Sequence, residues 1–352
     1  MSTPLGSSQL FSSKSFYTFE IDQSLRFNSA HYMARTPSSA GNRAKYSVSV
    51  WVKRHKVGAS YHPILAAATE SGGNQRAWIY FTNSDTLTWS IGNTSNSAGY
   101  EYYTTRKFRD TSAWYHILCV LDTSRTNEYT GAEGTNRVEI YVNGELQSLT
   151  RYRSAIPSGY SDGRINSTVI HYHGRSQYQN SGQEFSMAEF HLLDGSAALK
   201  SEFGEYKNGI WIPKDYTLGN YGTNGVHFTY ADSSDLGNDS SGNGNDYTLN
   251  TITSDDQTLD SPTNSFGTMN PLDKNSMTVT DGALKVVPSA DYRAIRGTFG
   301  IPTSGKWYFE VRNKTDTAGA TVALGVGLQD ITKNLTYATG ADNYTVKVEY
   351  RD

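Results

Sequence analysis

Alternation between apolar and polar side chains constrains this chain more than any other sequence feature. Every second residue from Tyr46 to Val52 is apolar, and Ser47 and Ser49 lie between them. Successive side chains of a β-strand point to opposite faces, so this spacing predicts a strand with one buried face. The pattern recurs along the chain in short runs that turn residues separate. Such a chain favours an antiparallel β-fold.

Several of these runs are joined by recognisable turns. Asn83-Ser84-Asp85 separates two predicted strands, and Asn143-Gly144 supplies the positive backbone angles of a tight hairpin. The run SAWYHILCVLD is apolar on both faces, as expected of a central strand. We therefore predict one sandwich over residues 17–220. Its predicted core contains Val48, Val50, Ile117 or Leu118, Ile140 and Val142, together with Trp51, Trp78, Trp89 and Trp114.

The stretch SAALKSEFGEY is the one convincing helical turn, because Leu199 and Phe203 are four residues apart. After Lys274 the alternation returns in KWYFEVRNK (306–314), ATVALGVGLQD (320–330) and YTVKVEYRD (344–352). We expect three strands of a second β-domain there. The last of them stops with the chain, which predicts either a truncated domain or completion by a neighbouring chain.

Composition excludes several classes of protein. Among 352 residues, 18% are charged and the net charge is -3, whereas Tyr (25 residues) and Gly (32 residues) are abundant. Disordered chains have the opposite balance of charged and aromatic residues. A basic patch for nucleic acid or an anionic membrane is not indicated. Cys119 is the single cysteine, so no internal disulfide forms, and its apolar surroundings predict an inert core thiol.

The N-terminal residues 1–16 are polar and contain scattered apolar side chains, for example Leu5, Phe11 and Phe16. We expect an arm that either frays or docks on a partner. It has no basic region followed by an apolar run, so a signal peptide is not predicted. No stretch is long enough for a membrane span. The expected location is the cytoplasm, or an exit by a route other than secretion.

The segment 221–273 has a different character, since it contains no Lys or Arg and many Asp. Within it, LGNDSSGNGND (236–246) has three possible interpretations: a flexible linker, a calcium loop or an ordered turn. A calcium loop that begins at Asp239 would have Asn250 at its twelfth position, where a bidentate Glu is needed. Asp, Asn and Gly are also the residues that close turns. The residues favour the turn.

Some residue types could carry a site. His171 and His173 share one face of a predicted strand and His191 could join them as metal ligands, but ordinary strand histidines are favoured because a fourth ligand is lacking. Asp122, Asp194 and Glu189 could bind calcium and glycan, although turn capping is commoner.

The stretch YEYYTTRKF (100–108) could stack on a sugar, but an edge strand is favoured. Motifs for nucleophilic, phosphate-binding or dinucleotide-binding enzymes are absent from the sequence. We predict no enzyme, no catalytic residue, no cofactor and no bound metal. The sequence does not identify ligand-binding residues. Since glycosidase carboxylate pairs have no fixed spacing, a carbohydrate-active enzyme stays as an alternative.

Several separate stretches together resemble the laminin-G-like, concanavalin A-like jelly-roll domains of virion proteins from tailed phages, especially marine ones. The stretches are IDQSLRFNSAHYMARTPSSAGNR, YSVSVWVKR, FRDTSAWYHILCVLDT, VEIYVNGE and SMAEFHLLDGSAALKSEFGE. NGIWIPKDYTLGNYGTNGVHF and DSPTNSFGTMNP are similar to the segment that follows the jelly roll in those proteins. KWYFEVRNK and ALGVGLQD resemble the first half of a SPRY domain.

The resemblance implies a domain order and a role. We expect a docking arm (1–16), a laminin-G-like jelly roll (17–220), an Asp/Asn/Gly-rich connecting segment (221–273) and a partial SPRY-like β-domain (274–352). It implies a structural virion protein, a tail-fibre subunit that supports host-surface glycan binding. The implied partners are itself, as a homotrimer, and other virion proteins, with no nucleic acid and no membrane insertion. A capsid decoration or head-fibre protein is the alternative within this class.

Overall fold

The computed structural model describes residues 16–58, 61–69, 76–92, 99–176, 184–274, 276–289, 295–302, 304–312, 322–326 and 346–350. All but the last residue of the predicted arm lie outside these ranges. The chain divides into a unit of residues 1–266 and a unit of residues 267–352. Among the described residues, no helix has the length and apolar character that crossing a membrane requires.

Two eight-stranded antiparallel sheets build the first unit, as the alternation predicts. With strands numbered along the chain, the order in the first sheet is β10-β9-β8-β3-β13-β1-β18, and β16 also pairs with β13. Its strands are β1 (Ser24–Phe27), β3 (Lys45–Arg54), β8 (Trp114–Asp122), β9 (Val138–Val142), β10 (Glu145–Leu146), β13 (Phe185–Asp194), β16 (Val226–Phe228) and β18 (Gln257–Thr258).

The second sheet has the order β11-β7-β6-β5-β4-β12-β2-β17. Its strands are β2 (Tyr32–Arg35), β4 (His62–Ala68), β5 (Arg76–Phe81), β6 (Thr86–Ile91), β7 (Glu101–Lys107), β11 (Leu149–Arg151), β12 (Ile170–His173) and β17 (Thr248–Asn250). The predicted edge strand, β7, is therefore covered by the short β11, and β11 forms the edge.

The main core lies between the facing sides of the two sheets, and the predicted core residues are buried. Val48, Val50 and Ile140 are completely buried there. Ile117 and Leu118 are both buried, on opposite faces of β8: Ile117 faces the main core, and Leu118 packs under the 198–221 segment on the outer face. All four predicted tryptophans are buried, but only Trp89 belongs to the main core.

Replacing Ile140 by Ala tests this core. The side chain is completely buried beside Cys119 on the neighbouring strand, so its removal leaves a cavity as well as losing apolar burial. We expect the free energy of unfolding to fall by about 2–5 kcal/mol. Urea denaturation of both proteins measures it, and a change near zero would place Ile140 outside the core.

Two turns follow the sequence closely. Asn143 (φ 49°) and Gly144 (φ 76°) join β9 to β10 with the positive angles predicted for the hairpin. Asp85 (φ 67°) ends the turn between β5 and β6. The predicted helical turn is shorter than expected: it is a 3₁₀ turn at Lys200–Glu202. Leu199, which precedes the turn, is exposed, and Phe203, which follows it, is buried.

The segment 221–266 differs from the predicted connection, because it supplies β16, β17 and β18 to the two sheets. The outer face of the first sheet carries a further hairpin, β14 (Gly204–Lys207) and β15 (Ile210–Pro213). Apolar side chains on this face, such as Trp51 and Trp114, need a cover, and the chain after β13 provides it. The sandwich therefore extends to Phe266.

The second unit consists of three antiparallel strand pairs among its described residues. They are β19 (Met269–Lys274) with β22 (Ile295–Gly297), β20 (Met277–Thr280) with β21 (Lys285–Pro288), and β23 (Val322–Val326) with β24 (Val346–Tyr350). The last pair matches two of the three predicted C-terminal strands. The remaining predicted strand, KWYFEVRNK (306–314), is wrong as far as it is described: residues 304–312 are not in a strand, and Trp307, Tyr308 and Phe309 are exposed.

Candidate functional site

A groove opens on the outer face of the second sheet, where β12, β2 and β17 lie side by side. The strand period creates it: Met33 points into the core, so Tyr32 and Ala34 point outward. The groove has a volume of about 290 Å³. Ligand sites have roughly 300–1,000 Å³, so the groove lies just below this range and has room for one small ring. Its lining consists of Tyr32, Ala34, Ile170, Tyr172, Arg175, Thr248, Leu249 and Asn250.

An arginine that lies over two tyrosine rings forms one wall of the groove. The Arg175 guanidinium carbon lies 4.4 Å from the ring centre of Tyr32 and 5.1 Å from that of Tyr172. The two rings are 6.0 Å apart and nearly perpendicular. Arg175 Nε donates to the carbonyl of Ser176. Stacking limits the motion of the guanidinium, whose N–H groups are donors in a fixed plane.

The aromatic character continues across the sheet. Trp78 and Tyr80 on β5 cluster with Tyr172 around Ala66 of β4. Arg76 lies 4.1 Å above the Trp78 ring, and Tyr61 packs edge-on against Tyr80. Trp78, Tyr80 and Tyr172 are buried, whereas Tyr32 is half-buried. Tyr32 is therefore the groove ring whose surface a ligand can contact.

The opposite wall is polar. Thr248 and Asn250 of β17 are exposed, and they pair with Ala34 and Tyr32 across the sheet. A hydroxyl and an amide both donate and accept hydrogen bonds. The groove therefore combines an aromatic face, a fixed cationic donor and neutral polar groups, a set that suits a polyhydroxylated ring with one apolar face.

The candidate histidine group does not assemble. His171 and His173 point into the core, where burial lowers the pKa of His171 to about 4 and that of His173 to about 3, so both are neutral. His173 packs edge-on against Phe190. His191 lies on the other side of the first sheet, where it pairs with Ser49. These two are ordinary strand histidines, as favoured.

His191 has two different neighbours, Glu189 and His227, and the sequence did not indicate His227. Glu189 Oε2 lies 2.7 Å from His227 Nε2 and 3.5 Å from His191 Nε2. Burial alone would raise the pKa of Glu189, but the hydrogen bonds from His191 and His227 outweigh it and lower the pKa to about 2. Among the described residues, these three form the one group of His, Cys, Asp or Glu side chains close enough to share a metal ion.

The remaining candidate carboxylates close turns. Asp122 accepts hydrogen bonds from the backbone and hydroxyl of Ser124 and pairs with Lys45. Asp194 accepts from the backbone N–H groups of Asn42 and Asn224, and so joins two loops.

The stretch LGNDSSGNGND forms an ordered turn, the interpretation that the residues favoured. Four donors fill the two carboxylate oxygens of Asp239: the N–H groups of His227, Ser241 and Asn245 and the hydroxyl of Ser241. The amides of Asn243 and Asn245 both donate to the carbonyl of Gly225. Asn250, the twelfth position of the calcium alternative, belongs to β17. The turn is held by its own side chains.

Cys119 is completely buried between the sheets, and burial raises the pKa of its thiol. A raised pKa keeps the sulfur protonated, so this cysteine is inert, as predicted.

Comparison with known proteins identifies the fold. Residues 27–199 match the laminin G family model of the concanavalin A-like lectin/glucanases superfamily. The chain therefore contains a concanavalin A-like jelly-roll domain, and the all-β prediction is confirmed. No curated protein sequence matches the chain significantly.

The solved structures that are similar to this chain are distant. A candidate carbohydrate binding protein from Bacteroides ovatus is 14% identical, with a TM-score of 0.43, and the match covers 68% of this chain and 60% of that protein. A pentraxin from Limulus polyphemus is 14% identical (TM-score 0.35, 51% of this chain, 80% of the pentraxin). The CBM40 module of a Ruminococcus gnavus sialidase is 12% identical (TM-score 0.34, 51% and 95%). At these identities and TM-scores the likeness carries no argument about this chain.

Proposed function

We propose that this chain is a glycan-binding structural protein, and that the groove between β12, β2 and β17 holds one sugar unit. The stacked arrangement of Tyr32, Arg175 and Tyr172 at the groove carries the proposal. The match of residues 27–199 to a superfamily named for lectins and glucanases supports it.

The binding chemistry follows from the groove walls. The C–H face of a pyranose packs on the exposed part of the Tyr32 ring, which removes apolar surface from water on both partners. The Arg175 guanidinium donates to ring hydroxyls or to a carboxylate substituent. Thr248 and Asn250 complete the hydrogen bonds at the opposite rim.

A second part of the proposal concerns the place of the protein in a phage particle. We infer a tail-fibre subunit of a tailed phage, a homotrimer attached to the tail by its N-terminal region. A head decoration or head fibre is the second placement. The support is the resemblance of the quoted sequence stretches. Immunogold labelling of purified particles tests it, since label on tail tips supports a fibre and label on the capsid supports a decoration.

Replacing Tyr32 by Ala should weaken glycan binding about tenfold or more. One aromatic stacking contact contributes about 0.5–1.5 kcal/mol beyond its area burial, and each 1.4 kcal/mol changes affinity tenfold. A glycan array identifies the ligand, and calorimetry then compares the variants. Arg175→Ala should weaken binding similarly, because it removes both the charged donor and the stacking partner of Tyr32.

Tyr152→Ala is the matched control. Tyr152 also carries a stacked arginine, Arg153, at 5.5 Å, but it is 66% exposed and does not line the groove. Equal losses from Tyr152→Ala and Tyr32→Ala, or no ligand on an array of neutral and acidic glycans, would refute the groove as the glycan site.

We also propose that the protein binds glycan without cleaving it. The bound glycan, incubated with the protein and analysed by mass spectrometry, should keep its length. Shortened products would favour the alternative of a carbohydrate-active enzyme.

A further inference from the structure

Strand β13 is distorted at the position of a buried carboxylate. The pairing of β13 with β3 is irregular between Ala188 and His191, and Glu189 has φ 47°. A positive φ strains a residue that has a Cβ, so the surroundings must compensate for it. Glu189 and His191 are two residues apart, and their side chains meet on the outer face of the first sheet.

The next strand brings a second imidazole to the same place. His227 of β16 pairs directly with His191 of β13. The rings stack with centres 4.1 Å apart and planes 18° apart, so one imidazole must rotate about its Cβ–Cγ bond for both Nε2 lone pairs to point at a single ion. Both Nε2 atoms face Glu189 Oε2, at 2.7 Å for His227 and 3.5 Å for His191.

These spacings fit metal coordination. Zn²⁺ bonds to nitrogen and oxygen of about 2.0–2.1 Å at tetrahedral angles place neighbouring ligand atoms roughly 3.3 Å apart. The two distances to Glu189 Oε2 lie on either side of this value. With one ligand atom taken from each of the three residues, these atoms all lie within 4.8 Å of one another. Two histidines and one glutamate are also a ligand set that Zn²⁺ takes in proteins, with a fourth position for water.

Neighbouring groups orient the ligands. The Tyr221 hydroxyl lies 3.0 Å from His191 Nδ1, and the backbone N–H of His227 donates to Asp239. Because a hydroxyl can donate or accept, Tyr221 permits the His191 tautomer that carries its proton on Nδ1 and leaves Nε2 free for a metal. The ordered turn at 236–246 thus supports this group through Asp239.

We propose that Glu189 Oε2, His191 Nε2 and His227 Nε2 bind a divalent transition-metal ion, Zn²⁺ first, which clamps β16 to β13. Glu189 and His191 are buried, whereas 16% of the His227 side chain is exposed, which gives the ion a route of entry. The ion would join the predicted jelly roll to the segment that follows it. The role is structural and independent of glycan binding.

The test uses the full chain stripped of metal with a chelator and then titrated with Co²⁺ or Zn²⁺. We expect one ion per chain, visible absorption typical of four-coordinate Co²⁺, and a higher melting temperature with Zn²⁺. Folded protein that binds neither ion at millimolar concentration would overturn the proposal.

Variants locate the ion. His227→Gln and Glu189→Gln should abolish the Co²⁺ absorption, and Tyr221→Phe should weaken binding about 10–100-fold. His31→Gln is the control, since His31 also faces a carboxylate, Asp256 at 3.4 Å, but lacks a third ligand there. Unchanged Co²⁺ binding in both ligand variants would overturn the assignment. If these variants do not fold, anomalous diffraction from wild-type crystals soaked in Zn²⁺ decides, and an ion found only elsewhere refutes it.

Discussion

Asp85→Asn should lower the free energy of unfolding by about 3–5 kcal/mol, the range for breaking a buried ion pair. Asp85 is 1% exposed and pairs with the fully buried Arg54 at 3.0 Å. Without the carboxylate, the Arg54 guanidinium stays inside the fold with no charge to balance it. Asn tolerates the positive φ of this position, so the substitution removes the charge and keeps the turn.

The loss should depend on pH in a defined direction. Burial raises the pKa of the Asp85 carboxyl, but the hydrogen bonds from Gly58, Arg109 and Arg54 outweigh burial and lower it. The unfolded value is about 3.9. A lowered folded pKa contributes stability that is fully present above the unfolded pKa and is lost as pH falls through the folded pKa. The difference between wild type and Asp85→Asn should therefore be constant near neutral pH and shrink below about pH 4.

Urea denaturation at several pH values measures both effects, with Glu145→Gln as the matched control. Glu145 pairs with Arg106 at 3.3 Å, but both side chains are at least half exposed. An exposed pair contributes about 0–1 kcal/mol. Similar losses for the two variants would contradict the role assigned to burial.

Alternation was sufficient to predict the sandwich because long strands show their period. Strand β3 has ten residues, enough for its inner and outer faces to be separated in the sequence, and the nine residues of β8 were recognised as a central strand because they are apolar on both faces. The hairpin at Asn143-Gly144 was equally predictable, because a two-residue turn with positive φ strongly restricts residue type.

The C-terminal limit of the sandwich could not be predicted, because its last strands are too short to show a period. Strands β16, β17 and β18 have two or three residues each, too few to show a period. Their place in the sheets depends on partners more than 30 residues away, such as His191 for His227. The polar composition of this segment, rich in Asp and Asn, led to its prediction as a connection, although turns inside a fold need the same residues.

The candidate sites share this difficulty. The groove joins Tyr32, Tyr172 and Asn250, which are far apart in sequence and meet only because β12, β2 and β17 are neighbours. Glu189 and His191 are two residues apart, a signal that the sequence contained, but His227 lay outside the predicted jelly roll. Trp307, Tyr308 and Phe309 show the opposite error, since their residue types favour a strand and the structure leaves them exposed.

Lys53 and Asp260 fasten the last segment of the first unit to the sandwich. Lys53 is completely buried on the outer side of β3, and its ammonium group contacts Asp260 at 2.8 Å and the carbonyl of Phe266 at 2.7 Å. Asp260 also accepts hydrogen bonds from Trp114 Nε1 and from the backbone N–H of Phe266. One carboxylate thus joins β3, β8 and the end of the unit.

Asp260→Asn should lower the free energy of unfolding by about 3–5 kcal/mol, because Lys53 then remains buried without a counter-charge. Glu133→Gln is the control, since Glu133 pairs with Lys200 at 3.0 Å near the surface and should contribute less than about 1 kcal/mol. The double variant Lys53→Met/Asp260→Asn separates charge from position: with both charges removed, its loss should be smaller than the sum of the single losses by roughly 1–3 kcal/mol. Strictly additive losses would mean that the two residues act independently. The end of the unit would then be held to β3 by the remaining hydrogen bonds alone.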